Sequence, residues 1–307
     1  MKATLHTLVA ALLILLLGAC DSTDAPVPDT APETLTQNGI AAAQWQQQSR
    51  QQFEQAAANW QQALVSLEQA PTDTSLATLR DALSSWYQTF TAQSLLLNAR
   101  ACQLDQQALL SRIDTWPLYP GYIDAMPQWP ESGLISDPYL ELNRKTLRIQ
   151  HGATDPAEAS LGFAAMFVVL NGTGDTPKAL DHFQGDESNA PRRRSYLKLA
   201  GEQILADYQA LLSSDIPLTG NDLDCAVRQL QQRHQLLADS ADNDDELVIP
   251  PTVRNTVNDK LQTSLQGLPD DVANHWEELQ PGIIDAIAAS TKEGWLPITA
   301  WRESQSE

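Results

Sequence analysis

His275 and Glu278 stand three residues apart in a segment of helical periodicity. At that spacing an imidazole and a carboxylate share one helix face and can touch one metal ion. They lie at the edge of an apolar stripe made by Val272, Trp276, Leu279 and Ile283. Such pairs arise often by chance, so this one is a weak metal candidate. The acidic run from Asp239 to Glu246 lacks the register and central glycine of an EF-hand and reads as a solvated loop. His151, His182 and His234 have no obvious partner and read as isolated surface histidines. No Gly-rich phosphate loop, HExxH zinc motif or Ser/Cys nucleophile elbow occurs. Nothing in these residue types supports hydrolysis.

A second set of residues is spread over three segments. Asp114-Thr115-Trp116-Pro117 leads into Tyr119-Pro120-Gly121-Tyr122-Ile123-Asp124, in a stretch where five prolines up to Pro138 exclude long helices. Either the rings and locked backbone pin a long loop over the helix ends, or Asp114, Asp124 and the tyrosines line a pocket. Downstream, Gly162-Phe163-Ala164-Ala165-Met166-Phe167 sits in an apolar run that reads as a helix from Glu158 to Asn171. Arg192-Arg193-Arg194 then opens a helix carrying Tyr196. Arginine opposes the dipole at a helix start, so these side chains are expected to pair with carboxylates of the same chain.

The order of Asp114, Trp116 and Pro117, then Gly162, then Arg193, Arg194 and Tyr196 resembles the imelysin family of bacterial envelope proteins. That family is also described as M75 peptidase-like or iron-regulated protein A-like. Its helix carries a G-x-H-x-x-E motif. Gly162 matches the glycine, but Ala164 stands where the histidine belongs and Phe167 where the glutamate belongs. The resemblance implies a scaffold of two four-helix-bundle-like halves and a place in iron or metal uptake. It implies no catalytic residue and no cofactor here, because Ala and Phe offer no lone pair and no proton.

The loss has a physical meaning of its own. With these residues the helix is apolar nearly all round and reads as a fully buried core helix. Exchanging two ionisable groups for apolar ones also removes their desolvation cost.

The N-terminus combines Lys2, an apolar stretch from Leu8 to Leu17, and Leu17-Gly18-Ala19-Cys20. This looks like a bacterial lipoprotein signal peptide over 1–19, with Cys20 acylated, and the apolar stretch is too short to span a bilayer. The expected location is therefore the periplasm, on a lipid anchor, with the choice between inner and outer membrane left open. Residues 20–37 are rich in Asp, Thr, Pro and Ala and read as a flexible tether. A net charge of −20 opposes nucleic-acid partners and favours cationic ones, or simply keeps the protein dispersed. With Cys20 assigned to lipid, Cys102 and Cys225 either form a disulfide in an oxidising compartment or remain two buried thiols.

The rest of the chain reads as helices between Pro/Gly/Asp loops. Phe53, Ala57, Trp60, Leu64 and Leu67 make one amphipathic stripe, and Leu76, Leu79, Leu83, Trp86, Phe90 and Leu97 a longer one. Helices follow at Leu140 to Gln150 and along Tyr196, Ala200, Ile204, Tyr208 and Leu211. The last expected helices are Leu223 to Leu237, Val253 to Leu265 and Val272 to Ala289. The predicted class is all-α, with antiparallel helices packed as bundles. A composition shift near Asp215 suggests an N-terminal half over 38–215 and a C-terminal half over 216–307. The expected function is a non-catalytic envelope protein that binds or scaffolds a partner of a metal-uptake system. The alternatives are a metal-dependent peptidase with relocated ligands, and a polysaccharide or small-ligand binder using the tryptophans of the proline-rich loop.

Overall fold

A computed structural model of the protein describes residues 33–173, 177–185, 189–214, 216, 220–239 and 247–257. The expected signal peptide with Cys20, most of the tether, and the pair His275 and Glu278 lie outside the described residues. The compact unit that holds the core is Asn38–Glu307. It is an all-α helical bundle. Among the described residues there is no β-strand, only isolated bridges at Leu118–Val248 and Met126–Trp129. No helix among them is long and apolar enough to cross a membrane.

Helix α1 (Glu33–Gln69) reaches five residues into the segment read as a tether and buries Phe53, Ala57, Trp60, Leu64 and Leu67. Helix α2 (Asp73–Thr91) starts at a capping box in which Thr72 and Ser75 bond each other's backbone N–H, so two orphan donors are satisfied. Its stripe of Leu76, Leu79, Leu83, Trp86 and Phe90 is buried as expected. The stripe was expected to run on to Leu97, but the helix breaks at Ala92–Gln93 and α3 (Ser94–Leu104) begins afresh. The buried Gln93 side chain explains the break. Its Nε2 donates to Ser49 O at 3.0 Å and its Oε1 accepts from Tyr208 Oη at 2.5 Å, so it ties the bend to two other helices.

Helices α4 (Gln107–Ile113), α5 (Pro120–Ile123) and α6 (Arg144–Gln150) are short. The helix expected from Leu140 starts later because Asn143 caps it, accepting from Thr146 N at 2.8 Å. The helix expected from Glu158 also starts later, as α7 (Phe163–Asn171). Glu158 is engaged in a turn, where Thr154 N and Oγ1 donate to its carboxylate at 2.9 and 2.7 Å. Gly162 has φ +99°, which a helix cannot contain, so it caps α7 instead of lying inside it.

Helix α8 (Ala190–Leu211) buries Tyr196, Ala200, Ile204, Tyr208 and Leu211. Helix α9 (Gly220–Asp239) packs on α3, and the Cys102–Cys225 disulfide joins the two. A helical segment at 251–257 is the described portion of the helix expected from Val253. Aromatic rings knit the centre. Phe53 stacks on Tyr208 at 3.6 Å, Trp60 on Trp86 at 5.3 Å, and Trp86 meets Phe163 edge-on at 5.0 Å. Trp60 can lie so close to α8 because position 201 is glycine; a Cβ there would fall 2.2 Å from the indole.

Candidate functional site

Of the nine positions carrying the family resemblance, Ala164 and Phe167 lie within α7, Asp114 and Trp116 belong to one polar centre, and Arg193 belongs to another. Every residue from Phe163 to Leu170 is buried, with Ala164 at 0% exposure and Phe167 at 1%. The Phe167 ring meets Tyr87 edge-on at 5.6 Å. At position 167 the space is filled by a ring packed against Tyr87, and at position 164 by a buried methyl group. Gly162 sets where α7 begins, since a Cβ there would lie 2.9 Å from Ile113 O and 3.0 Å from Arg112 O. The start of α7 thus rests directly on the end of α4, next to Asp114.

Asp114 ends α4 and is 5% exposed. Its Oδ2 accepts from Arg233 Nη2 at 2.7 Å and, weakly, from Tyr87 Oη at 3.5 Å. Arg233 Nη1 also donates to the Asp114 backbone carbonyl at 2.9 Å. Burial raises the Asp114 carboxyl pKa, while the Arg233 charge, the Trp116 indole and the Tyr87 hydroxyl pull it back. Burial and the neighbouring carboxylate push the Tyr87 hydroxyl upward. Trp116 is buried, precedes Pro117 through a cis peptide, and carries the Arg233 guanidinium 4.2 Å over its ring. A cavity of about 20 Å³, room for one water-sized group, lies between Thr91, Ser94, Asp114, Trp116, Arg233 and Val257.

The second centre is Asp124. Arg193 grips it with two hydrogen bonds and Lys178 adds a third, all beneath the surface. Burial lowers the Lys178 ammonium pKa, against the pull of Asp124. Tyr196 Oη is buried nearby with no hydrogen-bond partner among the described residues, and burial followed by the Asp124 charge raises its pKa. Asp114 and Asp124 therefore belong to different networks, and do not share the pocket that was one reading of the proline-rich loop. That loop is pinned instead, with Tyr122 Oη donating to Gln150 O at 2.6 Å and Leu134 N to Tyr122 O at 3.0 Å.

The expectation of carboxylate partners for three arginines needs correction. Among the described residues only Arg193 has one. Arg192 donates to the carbonyls of Leu134, Ile135, Asp137 and Leu140, and Arg194 to those of Phe183 and Gly185. Carbonyls of an irregular loop lack ladder partners, and guanidinium forks satisfy them. His151 also departs from the surface histidine expected. It is half-buried, its Nε2 lies 3.2 Å from Thr115 Oγ1, and burial together with Arg112 pushes its pKa down to about 4 against the opposing charge of Asp207.

Sequence reasoning missed Arg233, Lys178 and Tyr87. Each is an ordinary member of its own segment, and only tertiary contact reveals its role. Among the described residues no group of three or more His, Cys, Asp or Glu is placed to hold a metal ion. Comparison with protein-family models finds no match to the chain, and comparison with curated proteins finds none either.

Proposed function

We propose that the chain is a non-catalytic, lipid-anchored periplasmic protein of imelysin type that binds or scaffolds a partner in bacterial metal uptake. The observation that supports this reading is the packing of Ala164 and Phe167. Both are buried in the hydrophobic core, where the family would place a histidine and a glutamate. The remaining positions have work that needs no metal. Gly162 seats α7, Asp114 pairs with Arg233, and Arg193 pairs with Asp124. A net charge of −20 argues for a cationic partner over nucleic acid.

The experiment is a peptidase assay beside chemical cross-linking in envelope extracts. The expected result is no peptide cleavage with or without added zinc or iron, together with one reproducible cross-linked partner. Chelator-sensitive cleavage would overturn the reading in favour of relocated metal ligands. A second reading, saccharide binding, is favoured by Trp129 and Tyr139, which are 62% and 96% exposed in the proline-rich loop. Loss of glycan binding in a Trp129→Ala, Tyr139→Ala variant would support it; a wild-type chain that binds no glycan would remove it.

A further inference from the structure

Arg233 meets Asp114 and Trp116 in the way a ligand meets its site. Its two terminal nitrogens contact one residue, Nη2 to Asp114 Oδ2 at 2.7 Å and Nη1 to Asp114 O at 2.9 Å, while its flat face lies 4.2 Å over the Trp116 ring. Asp114 and Trp116 are 5% and 4% exposed and belong to the core, whereas Arg233 reaches in from α9 with 26% of its side chain exposed. A planar fork stacked on an indole suits a guanidinium; a rounder ammonium would lose the stacking and one directed bond.

Arg233 does not satisfy the site completely. The cavity of about 20 Å³ opens beside Asp114 and Trp116, whose indole bears on the Asp114 carboxylate. The disulfide at Cys225, just over two helical turns before Arg233, fastens α9 to α3. Tethering of this kind gives Arg233 a high effective concentration at the site.

We propose that Asp114 and Trp116 form a recognition site for the guanidinium of an arginine on a basic partner protein, with Arg233 as a built-in competitor held in place by the Cys102–Cys225 disulfide. The chain's net charge of −20 steers such a partner toward it. The proposal deepens the binding role above by naming the partner's chemistry. It does not depend on the outcome of metal or peptidase measurements.

The test is thermal unfolding of the purified full chain titrated with methylguanidinium at millimolar concentration. Arg233→Ala vacates the slot, and its melting temperature is expected to rise saturably by several degrees. Arg233→Gln, which keeps part of the stem, serves the same comparison should the alanine variant not fold. Adding Asp114→Asn should abolish the rise, and methylammonium should give a smaller one. Wild-type protein should respond only after a dithiol has reduced the disulfide to two thiols. An Arg233 variant that responds no more than wild type, or a rise that survives Asp114→Asn, would overturn the site. A wild-type chain equally unresponsive before and after reduction would overturn the latch.

Discussion

Arg193 holds Asp124 by two parallel hydrogen bonds, Nε to Oδ2 at 2.8 Å and Nη2 to Oδ1 at 2.9 Å, with the carboxylate 1% exposed. This pair ties α8 to the loop after α5. Burial alone would raise the Asp124 carboxyl pKa, but the Arg193 hydrogen bonds and the Lys178 charge outweigh it and hold the carboxyl below its ordinary value. Its contribution to stability is therefore present above the unfolded carboxyl pKa and lost as the pH falls through the lower folded one. Asp124→Asn should cost about 3 kcal/mol at neutral pH, because it leaves two buried cations uncompensated. Urea unfolding at neutral and strongly acidic pH checks this, and the deficit should shrink in acid.

His151 has the other usable pH signature. Its folded pKa of about 4 lies below the ordinary 6.5, so the native state resists protonation. Stability from this group is fully present above the unfolded value and falls away as the pH drops toward the folded one. The gap corresponds to roughly 3 kcal/mol. His151→Gln cannot titrate and should flatten the stability profile over that window. An unchanged profile would place the acid sensitivity elsewhere.

Phe167→Glu probes the core directly. The new carboxylate would sit against the Tyr87 ring in the hydrophobic core, and should destabilise the protein by more than about 3 kcal/mol. Denaturant midpoints of the two proteins decide the matter. A midpoint equal to wild type would mean that α7 can expose this position.

Much of the bundle is legible in the sequence. The stripes on α1, α2 and α8 were visible because three- and four-residue spacing of large apolar side chains has few other solutions. The unbroken run from Phe163 to Leu170 likewise announced a buried helix. What escaped was set by single polar contacts. Gln93 breaks the second stripe by bonding Ser49 and Tyr208, and no local pattern foretells partners so distant in sequence. Gly162 reads as helical in the sequence, but its positive φ and the close approach of α4 make it the cap of α7. Asp114 was singled out, but its partner Arg233 looked like any charged residue on an amphipathic helix. Asp124 groups with Asp114 through proximity in sequence, although the two carboxylates pair with different cations.

The absence of metal chemistry at Ala164 and Phe167 is tested most directly by elemental analysis of the purified protein. The chain would be incubated with iron and zinc at neutral pH, then freed of loosely held ions. The expected result is no stoichiometric metal, since neither residue supplies a lone pair and the site is filled by packed side chains. One tightly bound iron or zinc per chain would contradict it.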